Sequence, residues 1–232
     1  MVIGILTAMQ SEHDLLASLL NNKKTENIKE FKFLHGTMGA HNIILIQCGI
    51  GKVNATIGTT ELIRNYSPQY IISTGVAGGI DKCLSVMDVV VSEQTVYHDV
   101  WCGMGCERGQ IQGLPTFFNA TESLVKAAVS LNGKQDTKIH QGLICTGDQF
   151  ITSREELNVI KSNFPNGLAV DMESCAIAHT CHIYGVPFVS FRIISDTPGV
   201  EEHIQQYVDF WGEMATRSFQ VTKHFLEAII SE

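Results

Sequence analysis

The stretch Tyr70-Ile71-Ile72-Ser73-Thr74-Gly75-Val76-Ala77-Gly78-Gly79 decides the fold class. Its first half, Tyr70 to Thr74, is a short apolar, β-branched run of the kind that forms a buried strand. Its second half is dense in glycine and reads as a tight turn at the strand's carboxyl end. Similar segments recur on both sides. Val2 to Leu6 reads as a first buried strand, Ser11 to Leu20 as the helix after it, and Asn42 to Cys48 as another strand. Gly49-Ile50-Gly51 then turns the chain into a helix from about Val53 to Tyr66, where Ala55, Thr59, Leu62 and Tyr66 recur at helical spacing. Met87 to Tyr97, Ile139 to Cys145, Gly167 to Val170 and Val186 to Ser195 read as further strands. A helix follows Glu173 with Ile177, Cys181 and Tyr184 inward, and a last helix is expected from Val208 to Ile230. Its inward stripe would be Phe210, Met214, Ser218, Val221 and Phe225. Continuous apolar strands separated by helices predict an α/β fold with a parallel or mixed sheet covered on both faces. No repeat, low-complexity tract or linker interrupts the pattern, so residues 1–232 are read as a single domain.

Composition narrows the function. The 232 residues are 44% apolar with a net charge of −8, and no Lys/Arg block stands out. Nucleic acid or an anionic membrane as the main partner needs a basic footprint, so both are disfavoured. No apolar run approaches the roughly 20 residues that span a bilayer. The opening VIGIL run is too short for a secretory core, with Glu12 and His13 soon after it. The seven cysteines are odd in number and scattered, which suits reduced thiols in the cytoplasm better than a disulfide framework.

In open α/β sheets ligands gather at the carboxyl ends of strands, and polar residues there merit separate weighing. Asp196 closes the run Phe191 to Asp196 before Thr197-Pro198-Gly199; it is either a turn residue or an acid at a site. Arg192, four residues earlier inside an apolar strand, needs a buried partner and favours the second reading. Asp171 and Glu173 flank Met172 at a strand-to-helix junction. They serve as a helix cap and dipole partner, or as a carboxylate acceptor for sugar hydroxyls. Glu12, in the first turn of its helix, would alone be a surface residue that offsets the helix dipole. Gly49-Ile50-Gly51-Lys52 lacks the spacing of a phosphate-binding loop. Cys175, His179, Cys181 and His182 share a helix without metal-ligand spacing, and Cys102 with Cys106 has no complementary pair; no metal is predicted. The irregular stretch Val100 to Phe118 reads as an active-site lid or an interface loop.

Seven segments in order carry a family resemblance: Gly4-Ile5 with Ala8-Met9 and Glu12; Gly49 to Val53; Thr74 to Gly79; Tyr97-His98-Asp99; Gly147 to Ile151; Val170 to Glu173; and Ile194-Ser195-Asp196. Together the chain resembles the nucleosidase branch of the purine nucleoside phosphorylase superfamily. The resemblance implies a nucleoside phosphorylase-like three-layer α/β/α sandwich around a mixed sheet. It also implies hydrolysis of the N-glycosidic bond of 5′-methylthioadenosine and S-adenosylhomocysteine, giving adenine and a 5-thioribose, with no cofactor. Under it Asp196 is the general acid to adenine N7, Glu12 the base that activates water, and Arg192 lies beside Glu12. Phe150 stacks on the purine, the Ile151 backbone reads its edge, Glu173 binds the ribose hydroxyls and Met172 packs on the sugar. Met9, Ile50, Val76, Ala77, Gly78 and Ser195 complete the pocket. Tyr207, with the 101–114 stretch, would shape the 5′-alkylthio end, reaching in from the neighbouring subunit of a homodimer.

This division suits the chemistry, since glycosidic cleavage through an oxocarbenium-like state needs leaving-group protonation and a positioned nucleophile. An acid closing a buried strand and a base opening a helix occupy different environments, as opposite protonation states require. Phosphorolysis is the main competitor and needs cationic groups for phosphate; the first loop offers Thr7, Met9, Gln10 and Glu12 instead, and Ile71 to Thr74 carry no charge. One departure stands out: the family's Gly-rich turn carries serine where this chain has Val76. The alternatives are a futalosine or aminodeoxyfutalosine hydrolase, and a non-catalytic nucleoside-binding protein, which would have no need of Glu12 with Asp196.

Overall fold

The computed structural model describes residues 1–133 and 137–230. The chain opens with β1 (Val2–Thr7), α1 (Gln10–Ser18), β2 (Asn21–Ile28), β3 (Phe31–Met38), β4 (His41–Gln47) and α2 (Lys52–Tyr66). It continues through β5 (Tyr70–Gly79), β6 (Val89–Tyr97), β7 (Phe118–Asn119), α3 (Glu122–Val129), β8 (Ile139–Thr146), α4 (Arg154–Asn163) and β9 (Gly167–Asp171). The last elements are α5 (Ser174–Tyr184), β10 (Phe188–Asp196), α6 (His203–Asp209), a π-helical turn (Phe210–Met214) and α7 (Ala215–Ile230).

The sheet is mixed, as its continuous apolar strands predict. β1 runs parallel to β4 and β5, β5 parallel to β10, and β8 parallel to β6 and β9, while β10–β6 and β5–β9 are antiparallel. These pairings close β5, β10, β6, β8 and β9 into a ring. Each ring strand sends one residue inward, Ala77, Ile194, Val90, Ile144 and Ala169, and Leu84 joins this small core. On one face of the sheet Leu16 of α1, Leu124 of α3, and Phe219 and Phe225 of α7 pack with Ile3, Ile72 and Phe191. On the other, Ala55 and Leu62 of α2 and Ile177 and Cys181 of α5 pack with Leu6, Ile71 and Phe188. Burying each such Leu, Ile or Phe contributes about 1.5–3 kcal/mol, which fixes the strand ends that carry the site.

The Gly-rich segment is not a turn. Gly75 to Gly78 continue β5 because β10 pairs along them, Gly75 with Arg192 and Ala77 with Ile194. The opposite edge of β5 changes partner: β1 covers it from Tyr70 to Ser73, and β9 takes it over at Gly78 and Gly79. Between these two stretches the backbone at Gly75 and Val76 has no strand neighbour on that side. Glycine matters here for close approach, since a Cβ at Gly75 would collide with the Glu12 carboxylate and lie 2.8 Å from Arg192 Nη1.

Three further expectations change. The hairpin of β2 and β3 was not foreseen; β2 is an almost wholly exposed edge strand whose lysines discourage further pairing. The single long C-terminal helix is broken by the π turn, in which the Ala215 N–H bonds the Phe210 carbonyl. Phe210, Val221 and Phe225 are buried as predicted, joined by Phe219, while the side chains of Met214 and Ser218 lie outside those described. Tyr184 is exposed rather than inward, because α5 ends there on Gly185 in the left-handed region.

Candidate active site

At the carboxyl ends of β1, β5, β9 and β10 a cleft with about 630 Å3 of empty space, open solvent included, is lined by residues from seven segments. β1 leads into Ala8, Met9 and Glu12, β5 gives Val76, Ala77 and Gly78, and β9 gives Val170 and Asp171, with Met172 and Glu173 following. β10 ends in Ser195 and Asp196, the loop before α4 carries Gln149, Phe150 and Ile151, and Ile50 and Tyr207 complete the wall.

Beneath the cleft floor lies Arg192, 1% exposed. A buried guanidinium must be both paired and fully hydrogen-bonded. Its Nε lies 2.9 Å from Asp171 Oδ2 and its Nη2 3.6 Å from Glu173 Oε2. Nη2 also donates to Ser73 Oγ (2.8 Å) and Nε to Ser174 Oγ (3.1 Å). Burial works against the charge, but Asp171, Glu173 and Glu12 outweigh it and hold the pKa above the usual arginine value. Asp171 is fixed from its other side by the Thr146 hydroxyl (2.6 Å) and the Ser174 N–H (3.1 Å). It therefore caps α5 and anchors the arginine, while Glu173 takes the N-cap position itself.

Glu12 is not a surface residue of α1 but is 1% exposed. Oε2 accepts the backbone N–H groups of Ala8 (2.9 Å) and Met9 (3.0 Å), and Oε1 accepts that of Val76 (3.0 Å). The Val76 donor is available because β5 lacks a strand neighbour there. Burial raises the Glu12 pKa, opposed by Arg192 and by the Met9, Val76 and Ala8 amides. Glu173, which accepts the Gly51 N–H (2.9 Å), is pushed up to about 7, mainly by burial. One cation among three buried carboxylates leaves an excess of negative charge, so a proton is held here more readily than in water.

Asp196 is 2% exposed, and its Oδ1 accepts the Ser195 hydroxyl at 2.6 Å. Burial raises its pKa, against the opposing effects of that hydroxyl and of His203. Phe150 stands half-exposed over the cleft, edge-on to Tyr207 at 5.6 Å between ring centroids and 6.3 Å from His203. The Tyr207 hydroxyl donates to Met9 Sδ at 3.7 Å.

All residues proposed from sequence meet at this cleft, with Arg192 directly behind it. Tyr207 requires a correction: α6 folds back over β10, so it lines the cleft of its own chain instead of reaching in from a neighbour. Ala8, Gln149, Val170 and Pro198 also line the cleft and were not singled out; the first three sit inside the quoted segments. Ser73 and Ser174, which satisfy Arg192, carry no sequence signal beyond being polar in apolar runs. No described residue of 100–118 is among those lining the cleft within one chain. Cys175 and Cys181 are core residues, and His179 stacks on Phe118.

A mixed sheet covered on both faces with a buried acidic cleft at its strand ends defines a class, and the model of the phosphorylase superfamily matches residues 2–227. The 5′-methylthioadenosine/S-adenosylhomocysteine nucleosidase of Actinobacillus succinogenes is 44% identical over 197 residues, 84% of this chain and 86% of that protein. That of Staphylococcus haemolyticus is 37% identical over 98% of this chain and 100% of its own length. The Neisseria meningitidis nucleosidase in complex with methylthio-immucillin-A superposes with a TM-score of 0.92 at 34% identity, covering 98% of this chain and 99% of that one. The chain belongs to the 5′-methylthioadenosine/S-adenosylhomocysteine nucleosidase family of the phosphorylase superfamily, hydrolases that act on N-glycosyl compounds.

Proposed function

We propose that this chain hydrolyses 5′-methylthioadenosine and S-adenosylhomocysteine to adenine and the corresponding 5-thioribose, with Asp196 as acid and Glu12 as base. The observation that carries the assignment is the contrast between two buried carboxyl groups on one cleft. Burial raises the pKa of both, but at Glu12 it is opposed by Arg192 and three backbone N–H groups that favour the ionised form, whereas at Asp196 it is opposed by the Ser195 hydroxyl and His203. An acid kept protonated can deliver its proton to adenine N7, so the base leaves neutral; an ionised neighbour can orient and deprotonate water. Glu173 accepts the ribose hydroxyls, Met172 packs on the sugar, Phe150 stacks on the purine and the Ile151 backbone reads its edge. Met9, Ile50, Val76 and Tyr207 then surround the 5′-alkylthio group, while Ala77, Gly78 and Ser195 close the base pocket.

Water rather than phosphate is the nucleophile on this reading, because no Lys or Arg is among the residues lining the cleft and Arg192 is already neutralised by carboxylates. Incubation with methylthioadenosine, S-adenosylhomocysteine, inosine and futalosine, with and without phosphate, tests it. Adenine release that is independent of phosphate is expected. A ribose 1-phosphate product formed only with phosphate overturns it, and turnover of futalosine alone overturns the thionucleoside assignment.

The chain acts as a homodimer in this proposal. Val53 and Ile57, one turn apart on the outside of α2, and Trp101 and Met104 of the 100–118 segment are exposed apolar groups suited to an interface. Sedimentation at the 25.5 kDa chain mass would refute it. Free cysteines throughout the described residues suit a reducing compartment, the cytoplasm, and no described helix is long and apolar enough to cross a membrane.

A further inference from the structure

Lys52, the first residue of α2, ties together three strand-end segments. Its ammonium lies 2.7 Å from Asp99 Oδ2 and 3.8 Å from Asp148 Oδ2. Its backbone N–H donates to Asp148 Oδ1 at 2.8 Å, and the Asp148 N–H in turn donates to the same Asp99 Oδ2 at 2.9 Å. The ammonium also stands 5.5 Å from the centre of the Tyr97 ring. An isolated surface ion pair contributes little. Here the Lys52 and Asp99 side chains are only 22% and 19% exposed, and one carboxylate oxygen serves two donors from two segments, so screening is weaker and the geometry is fixed.

The position of this cluster gives it a role. On one side of it Gly51, the residue before Lys52, donates its N–H to Glu173. Gly51 has φ +93°, and a Cβ there would lie 2.9 Å from Asp148 Oδ1, so the turn and the aspartate are in near contact. On the other side, Gln149, Phe150 and Ile151 follow Asp148 directly along the chain into the cleft. Gly147, just before it, is pressed against the His98 ring, which leaves no room for a side chain and holds the start of this loop against the end of β6.

We propose that Lys52, Asp99 and Asp148 form a positioning brace that sets the separation between the base-stacking loop at Phe150–Ile151 and the ribose-binding carboxylate Glu173. The inference rests on the roles proposed above for those residues. The bond to be broken joins base to ribose, and the two segments that hold the halves of the substrate meet at the root of the loop, where the Gly147 N–H donates to the Asp171 carbonyl (3.1 Å), and again through this brace, which links the loop beyond Gly147 to the Gly51 turn that donates to Glu173. None of the three touches substrate; they act through Gly51 and the 147–151 loop. Fixing two binding groups relative to each other matters for an intact nucleoside and not for a free base, which engages one of them.

The test uses Lys52→Met and Asp99→Asn, singly and together, in the full-length protein. Amide exchange is followed by mass spectrometry, with calorimetry for adenine binding and steady-state kinetics on methylthioadenosine. Either substitution is expected to speed exchange at Gly51 and in 147–151 while α7 keeps its protection. The value of kcat/KM should fall about 10- to 100-fold, as misplacement on the ångström scale does, with the adenine Kd within about twofold of wild type. The double variant should be no worse than the more damaged single one, because both cut the same brace. Unchanged exchange in 147–151 overturns the brace whatever the kinetics show. Faster exchange with unchanged kcat/KM, or adenine affinity lost in parallel with kcat/KM, overturns its positioning role. A wild-type protein that fails to release adenine from methylthioadenosine refutes the catalytic reading instead, and the brace is then judged on exchange alone.

Discussion

Glu173→Gln fixes in neutral form a side chain that this fold ionises reluctantly. The carboxyl group moves from an ordinary 4.5 to about 7, chiefly because it is buried. At about 1.4 kcal/mol per pH unit, that move corresponds to about 3 kcal/mol. Below pH 4.5 the folded and unfolded chains both carry the proton, and the stabilising contribution is fully present. As the pH rises toward 7 the unfolded chain has released its proton while the folded chain still holds it, so stability declines; above that the loss is complete. Glutamine cannot ionise, and its amide oxygen still accepts the Gly51 N–H. The variant should therefore be up to about 3 kcal/mol more stable than wild type at pH 8, with the difference shrinking steadily toward pH 5. Urea unfolding followed by circular dichroism at pH 5, 6, 7 and 8 measures this directly. Activity should move the other way, kcat/KM falling about 10- to 100-fold because the proposed charged acceptor for the ribose hydroxyls is lost. A variant no more stable than wild type at pH 8, or a gain equal at pH 5 and 8, would refute the reasoning.

Asp196→Asn keeps the shape of the proposed acid without its ionisable proton, and Glu12→Gln keeps that of the proposed base without a carboxylate to accept one; each should lower kcat by about 100-fold or more. Methylthioadenosine should still bind, as equilibrium dialysis can check, and wild-type turnover in either variant would count against its assigned role. Gly75→Ala pushes a methyl group into the Glu12 carboxylate and toward Arg192. It should cost about 1–3 kcal/mol of stability together with activity, whereas a well-folded, fully active variant would show that the carboxylate can move aside at little cost.

How much of this was legible in the sequence depended on what each residue needed from its neighbours. Strands buried on both faces, such as Val2 to Thr7 and Phe188 to Asp196, announce themselves by apolar runs that few polar residues interrupt. The polar strand Asn21–Ile28 does not, because it sits at an edge and nearly every side chain faces solvent. The glycines of Tyr70–Gly79 suggested a turn by local preference, yet pairing with β10 along one edge, joined by β9 at Gly78 and Gly79 on the other, keeps the segment extended, and only the long-range topology contains that information. At the site, an arginine inside an apolar strand was a sound signal that a partner existed. Which carboxylates supply it is a matter of three dimensions: Asp171 lies 21 residues away and Glu173 19. The place of Tyr207 in the cleft of its own chain, and the course of 100–118 away from that cleft, escaped the sequence for one reason. Neither the path of a loop nor that of a short helix after a turn is encoded in periodicity.

The change of partner along one edge of β5 has a bearing on the order in which the molecule becomes competent. β5 must acquire β1, made early in synthesis, on one flank and β10, made late, on the other before Val76 and Arg192 meet Glu12. No fragment that stops short of β10 can hold Arg192 or Asp196, however well its early strands and helices have formed. The cleft is thus a property of the completed circuit of strands, and Arg192 and Asp196 reach Glu12 only when β10 has joined it.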